Sequence, residues 1–100
     1  MENNPLCSIV MSVYNGGEFL PIAIDSILQQ TYKNFEFIII NDASTDNSLK
    51  TIQSFDDNRI TIINNDKNIF LAASLNKGIK ISKGKYIVRM DADDISTPDR

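Results

Sequence analysis

Histidine is absent from the 100-residue sequence, and cysteine occurs once, as Cys7. Without histidine no Ser-His-Asp or Cys-His arrangement can form, which excludes hydrolysis by a histidine-based triad. The lack of histidine and of cysteine pairs also leaves little basis for a zinc site. Because a single cysteine cannot form an internal disulfide, we expect a reducing, cytoplasmic compartment, with Cys7 packed beside Ile9 and Val10 rather than reactive.

Long apolar runs and glycine-rich phosphate loops are missing as well. No run approaches the roughly 20 residues needed to cross a bilayer, so we expect no membrane-spanning helix in this sequence. The inner face of the membrane stays open as a location for a full-length protein. Neither GxGxxG nor GxxxxGK[ST] occurs, which disfavours a dinucleotide oxidoreductase and a P-loop NTPase. A formal net charge of -3 argues against nucleic-acid binding.

Short β-rich runs alternate with segments of helical spacing. The predicted strands cover residues 8–13, 35–40, 60–63 and 86–90. Three helices are indicated between them. The first has an apolar stripe formed by Leu20, Ala23, Ile24, Ile27 and Leu28. The second is capped by Ser44 or Thr45 and continues through the apolar residues Leu49, Ile52 and Phe55, and the third is marked by Leu71, Leu75 and Ile79. Right-handed crossovers turn this order into a Rossmann-like α/β fold, a mostly parallel sheet with helices on both faces, in a single domain over residues 1–100.

Acidic residues cluster where the fourth predicted strand ends. In such sheets a ligand sits beyond the carboxyl ends of the strands, so the loops after strands one, two and four form the candidate site. Asp91, Asp93 and Asp94 lie there, and their ionised carboxylates repel one another unless a cation is present. Oxygen ligands suit Mg²⁺ or Mn²⁺, with water and a ligand's phosphates completing the coordination. The alternatives are a solvated acidic loop, or Asp94 capping a further helix.

Two other strand ends carry candidate ligand contacts. Asp42, after strand two, can accept hydrogen bonds from a ring N–H or a sugar hydroxyl of a nucleoside. It can equally form an Asx turn or cap the helix that follows residues 44–46. After strand one, Tyr14 and Asn15 offer an aromatic face against a base and polar groups beside the Gly16-Gly17 loop, although Tyr14 can also be a packed loop aromatic.

The segments SIVMSVYNGGEFLPIAIDSILQQTYKNFEFIIINDASTDNS and NKGIKISKGKYIVRMDADDISTPDR together resemble the amino-terminal part of family 2 glycosyltransferases. The ordered motifs VYN, NDASTD and RMDADD are far more specific than any one of them alone. The resemblance implies a GT-A fold and inverting sugar transfer from a nucleoside diphosphate sugar, with a UDP-sugar favoured, to a hydroxyl of a glycan or lipid-linked acceptor.

The resemblance also implies roles for single residues. Val13, Tyr14 and Asn15, from VYN, would bind the nucleotide, with Tyr14 flanking the base. Asp42 would bind base or ribose, Asp91 ribose or metal-bound water, and Asp93 the metal. Second-tier candidates are Asp94, Glu18 and Arg89. The sequence departs from the family at Asn68-Ile69-Phe70-Leu71, where members commonly show Asn-x-Gly-Leu, and it lacks the arginine of a following Ala-Arg-Asn.

The resemblance implies a catalytic base beyond the D-x-D strand, so we expect it beyond Arg100. We expect this sequence to be part of a longer chain and, on its own, to hold donor nucleotide weakly without turnover. Strand four would then be an exposed edge capable of self-pairing. Two other functions remain open: a noncatalytic nucleotide-binding or interaction module, and a phosphatase with an aspartyl nucleophile. The second is disfavoured because its acidic pair normally follows the first strand.

Overall fold

The structure is a computed structural model that describes residues 6–30 and 33–91, the last of these by its backbone alone. Four strands alternate with three α-helices in this part of the chain. The strands are β1 (Cys7–Val13), β2 (Phe35–Asn41), β3 (Ile60–Asn64) and β4 (Tyr86–Asp91). The helices are α1 (Leu20–Leu28), α2 (Ser48–Gln53) and α3 (Phe70–Ile81), and a short 3-10 helix, Gly17–Phe19, precedes α1.

The strands form one parallel sheet in the order β3-β2-β1-β4. The chain builds outward from β1 through β2 to β3 and then returns to place β4 on the free side of β1. Since α3 makes that return, it crosses the face of β1 and β2. The predicted parallel α/β sheet is therefore confirmed.

Alternation along the strands separates two hydrophobic layers. Ile9, Met11, Phe37 and Ile39 pack with α1 and α2 on one face of the sheet. Val10, Ile38 and Ile40 pack with Leu75 of α3 on the other. Each such side chain contributes roughly 1.5–3 kcal/mol when fully buried, and central strands covered on both faces explain the continuous apolar runs of the sequence.

Glycine lets α3 lie close to the sheet. A methyl group at Gly78 would stand 2.5 Å from Val10 Cγ1 and 2.7 Å from Ile40 Cδ1. Only a residue without Cβ fits this contact without moving the strand side chains.

Two local predictions are wrong. The second helix begins at Ser48 rather than behind Ser44 or Thr45, because those two side chains bond to the loop after β1. Leu71, expected on the buried stripe of the third helix, is 52% exposed, since it lies in the first turn of α3 beside a surface hollow.

An ion pair fixes the turn before β3. Arg59 donates through Nε to Asp57 Oδ1 at 2.9 Å and through Nη2 to Oδ2 at 2.7 Å, and its backbone N–H also reaches Oδ1. The guanidinium lies 4.4 Å from the centre of the Phe35 ring. These hydrogen bonds from Arg59 lower the pKa of Asp57 to about 2.

Because the folded pKa of Asp57 lies below its unfolded value, the bonds stabilise the fold at pH values above the unfolded pKa of about 4 and are lost as pH falls toward 2. We expect Asp57→Asn to lower the free energy of unfolding at pH 7 by about 1–2 kcal/mol and to flatten its dependence on pH in that acid range. Urea unfolding at several pH values measures both effects. Asp56→Asn, at an exposed neighbouring acid, is the control, and an equal loss in both variants would contradict the assignment.

Candidate functional site

A hollow of about 220 Å³ opens at the carboxyl end of the sheet. Its walls come from the ends of β1 and β2 and from the start of α3, and its lining residues are Ser12, Tyr14, Asp42, Asn68, Phe70 and Leu71. Strand order reverses at β1, and ligands of open α/β sheets bind beyond the strand ends at such a reversal. The hollow therefore lies where the fold predicts a binding site.

Asp42 forms the buried floor of this hollow, with only 2% of its surface exposed. Its Oδ1 accepts hydrogen bonds from Asn65 Nδ2 at 2.9 Å and from the Ile69 backbone N–H at 2.8 Å. Its Oδ2 accepts the Phe70 N–H at 2.9 Å. The carboxylate thus satisfies N–H groups at the beginning of α3 that the helix itself cannot pair.

Burial alone would raise the pKa of Asp42, yet the hydrogen bonds from Ile69, Asn65, Phe70 and Ser74 outweigh it and hold that pKa below its ordinary value. The group is consequently ionised at neutral pH and puts a negative charge under the hollow. A ligand that contacts this carboxylate has to do so with a hydrogen-bond donor.

The network continues from Asp42 into α3. Asn65 donates through Nδ2 to Ser74 Oγ at 3.1 Å, and its Oδ1 accepts from Lys77 Nζ at 2.6 Å. Sequence reasoning missed these partners, although Asn65 follows β3 as Asp42 follows β2. The alternative in which Asp42 forms an Asx turn or caps the next helix is not observed: Asn41, one residue earlier, supplies the oxygen that accepts the Ser44 N–H at 3.3 Å.

Asn15 joins the loop after β1 to the loop after β2. Its Oδ1 accepts the backbone N–H groups of Thr45 at 2.8 Å and Asp46 at 3.2 Å, while its own backbone N–H donates to Ser44 Oγ at 3.0 Å. Gly16 adds a bond from its N–H to Ser48 Oγ. The side chain of Asn15 is therefore occupied within the protein, and a nucleotide contact from it stays a prediction.

Positive φ values in the described chain occur only between β1 and α1, at Asn15 and Gly17, after β2, at Ala43, and at the first residue of α3, Phe70. Phe70 stands where the family pattern has glycine, and its φ of 71° explains why glycine suits that position. A side chain in this conformation costs roughly 1–2 kcal/mol. Both aromatic residues of the hollow are open to solvent, Tyr14 at 51% and Phe70 at 74% exposure.

The other predicted site residues lie in the core, at the end of β4 and on the surface. Val13 is fully buried in the core and its carbonyl accepts the Asp42 N–H at 2.7 Å, so a nucleotide contact from Val13 stays a prediction. Asp91 ends β4, and its Cα is paired with that of Ser12, which lines the hollow. The side chain of Asp91, and Asp93 and Asp94 entirely, lie outside the described residues. Glu18 and Arg89 are exposed.

Over residues 6–30 and 33–91, no group of three acidic, histidine or cysteine side chains is arranged to hold a metal ion. Across the same residues, none of the helices has the length and apolar character that a membrane crossing requires.

Comparison with known proteins decides the family. The family model described as Glycosyl transferase family 2 matches residues 8–100. The chain belongs to this family. The parallel sheet and its flanking helices are accordingly the GT-A fold that the motifs predicted.

Sequence relatives carry glycosyltransferase names. An "Uncharacterized glycosyltransferase" of Haemophilus influenzae is 46% identical, over 98% of this chain and 31% of its own length. The Escherichia coli protein named "UDP-Glc:alpha-D-GlcNAc-diphosphoundecaprenol beta-1,3-glucosyltransferase WfaP" is 40% identical, over 89% of this chain and 36% of its own. This family 2 chain thus spans about a third of the length of the curated relatives it matches.

Solved structures share the fold at low sequence identity. Staphylococcus aureus TarS 1-349 in complex with UDP-GlcNAc superposes with a TM-score of 0.87 at 20% identity, covering 92% of this chain and 28% of that one. The mannosyltransferase PcManGT of Pyrobaculum calidifontis, in complex with GDP-Man and Mn²⁺, gives 0.85 at 21%, again covering 92% and 28%. The sheet and helices of this family 2 chain therefore share their fold with both structures.

We expect Asp42→Asn to lower the free energy of unfolding by about 2 kcal/mol, because the new amide turns one acceptor into a donor facing the N–H groups of α3. Chemical unfolding measures the loss, and hydrogen exchange should show faster exchange at the Ile69 and Phe70 amides. Asp66→Asn, an exposed acid in the neighbouring loop, is the matched control and should change stability by less than about 0.5 kcal/mol. Unchanged amide protection in Asp42→Asn would disprove the anchoring role.

Proposed function

We propose that this chain is the donor-binding part of a glycosyltransferase that moves a sugar from a nucleoside diphosphate sugar to an acceptor hydroxyl. The observation that carries the proposal is the hollow at the strand-order reversal, with an ionised carboxylate beneath it and aromatic rings in its walls. Family membership supports it, as do the nucleotide sugars named for the related structures. A UDP-sugar is the favoured donor: UDP-GlcNAc is bound in the TarS structure and UDP-Glc appears in the name of the Escherichia coli relative, against GDP-Man in the mannosyltransferase structure.

Tyr14 and Asp42 would act on the nucleoside. The exposed ring of Tyr14 offers a stacking surface to the base, and the Asp42 carboxylate accepts a hydrogen bond from a base N–H or ribose hydroxyl. Because hydrogen bonds already fix Asp42 in place, it needs little rearrangement to receive the donor. These residues would orient the donor before transfer.

A divalent cation, Mg²⁺ or Mn²⁺, would be held by Asp91 and Asp93. Their carboxylate oxygens are the donors that such hard ions prefer, and β4 ends at Asp91 with its backbone beside Ser12 of the hollow. The related mannosyltransferase structure contains Mn²⁺ together with GDP-Man. When bound, the cation would neutralise charge on the departing diphosphate.

The remaining features of the reaction are proposals drawn from the family resemblance. They are inversion at the transferred carbon, a catalytic base located beyond Arg100, a glycan or lipid-linked acceptor, and a cytoplasmic location. The name of the Escherichia coli relative includes a diphosphoundecaprenol acceptor, which favours the lipid-linked alternative. Self-association through β4 also stays a prediction: in the described sheet this strand pairs only with β1.

We expect UDP to bind in a Mn²⁺-dependent manner, and Asp93→Ala to reduce that affinity by about tenfold or more because the diphosphate loses its bridging cation. Isothermal titration calorimetry with UDP, with and without Mn²⁺, measures the affinity. Asp25→Asn, at an exposed acid on α1, is the control of equal charge change and should bind as the unmodified protein does. Equal affinity in Asp93→Ala and Asp25→Asn would contradict the metal assignment. Binding by a full-length protein without sugar transfer would favour the noncatalytic module.

A further inference from the structure

Phe70 combines two unfavourable features at the mouth of the hollow. Its φ of 71° is a conformation that glycine adopts freely and that crowds any Cβ against the backbone. Its side chain is 74% exposed, so packing within the described chain recovers little of this cost. A phenylalanine here is therefore unfavourable for the fold itself.

The backbone at Phe70 is held in place by its surroundings rather than by its ring. The N–H donates to Asp42 Oδ2 and to Asn68 Oδ1, both at 2.9 Å, and the preceding N–H donates to Asp42 Oδ1. Glycine at position 70 would make the same two bonds without strain and would leave the bond from Ile69 in place. Residues kept in disfavoured backbone conformations by surrounding bonds concentrate at functional sites, where the side chain has a use that the fold does not supply.

The lining of the hollow indicates what that use is. Phe70 and Tyr14 line it together, with Leu71 beside them and the ionised carboxylate of Asp42 beneath. Aromatic faces favour a flat π-system, and a buried carboxylate requires a donor such as a ring N–H. A diphosphate would be repelled by the charge of Asp42. A heteroaromatic base satisfies both requirements.

We propose that the ring of Phe70 forms a wall of the base subsite, binding the nucleobase of the nucleoside diphosphate by stacking, and that the strain at this residue is retained for that contact. The inference rests on the proposed function, because it assumes that a nucleoside diphosphate is the ligand. It goes beyond the family pattern, which has glycine and hence no side chain at this position.

Phe70→Gly tests the two halves of the inference in one variant. Relief of strain should raise the melting temperature of the ligand-free protein by about 5 °C. Loss of the ring should weaken UDP binding by about tenfold in calorimetry with Mn²⁺, as removal of a stacking partner does elsewhere. Binding of inorganic pyrophosphate with Mn²⁺, a probe without a base, should stay unchanged. Phe70→Tyr, which keeps a ring, should retain the affinity for UDP.

Phe19→Ala is the matched control, since Phe19 is an exposed aromatic residue, at 55%, that ends the 3-10 helix after β1 and is not part of the hollow's lining. It should leave UDP affinity unchanged. GDP and dTDP are titrated alongside, so that a preference for another base is detected.

Each contrary result has a distinct meaning. If Phe70→Gly binds UDP as tightly as the unmodified protein, the inference is overturned and the proposed function stands. An equal loss of pyrophosphate affinity, or a lower melting temperature in Phe70→Gly, also overturns it, because the ring would then support the loop rather than the base. If the unmodified protein binds none of the three nucleoside diphosphates, the proposed function fails and the inference fails with it.

Discussion

The buried carboxylate of Asp42 connects the end of β2 to the beginning of α3, and the geometry of the sheet's carboxyl edge depends on that connection. Its oxygens receive N–H groups from Asn65, Ile69 and Phe70, which sets where the helix begins. Since α3 carries the chain across the sheet to β4, the same bonds influence where the strand ending at Asp91 is delivered. The residue that we expect to face a nucleoside thus also organises the protein around it.

The sheet was predictable because strands that are buried on both faces need apolar residues along their whole length. The run at 35–40 had to lie between two layers, and it packs on α1 and α2 through Phe37 and Ile39 and on α3 through Ile38 and Ile40. Strand ends matched to within one residue. The start of α2 was less predictable, since Ser44 and Thr45 are good capping residues whose hydroxyl groups found partners in another loop.

The candidate site was predictable only in its location. Strand-end acids and an aromatic residue indicated the carboxyl edge of the sheet, and a hollow lined by Asp42 and Tyr14 lies at that edge. What the sequence could not reveal is which polar groups pair across long separations: Asp42 bonds to Asn65 and Phe70, and Asn15 to Thr45. Short-range rules allowed an Asx turn at Asp42 as an alternative to a ligand contact. The carboxylate instead accepts hydrogen bonds from the backbone N–H groups at the start of α3, which the helix itself cannot pair.

The bonds made by Asn15 have a consequence for how quickly a ligand can be captured. One amide side chain holds Thr45 and Asp46, and Gly16 adds a bond to Ser48, so hydrogen bonds join the first two loops directly. A ligand arriving there would find the two loops already joined to each other, so its capture would require less loop ordering. Weakening that crosslink would therefore slow association while leaving the chemistry of the contacts intact.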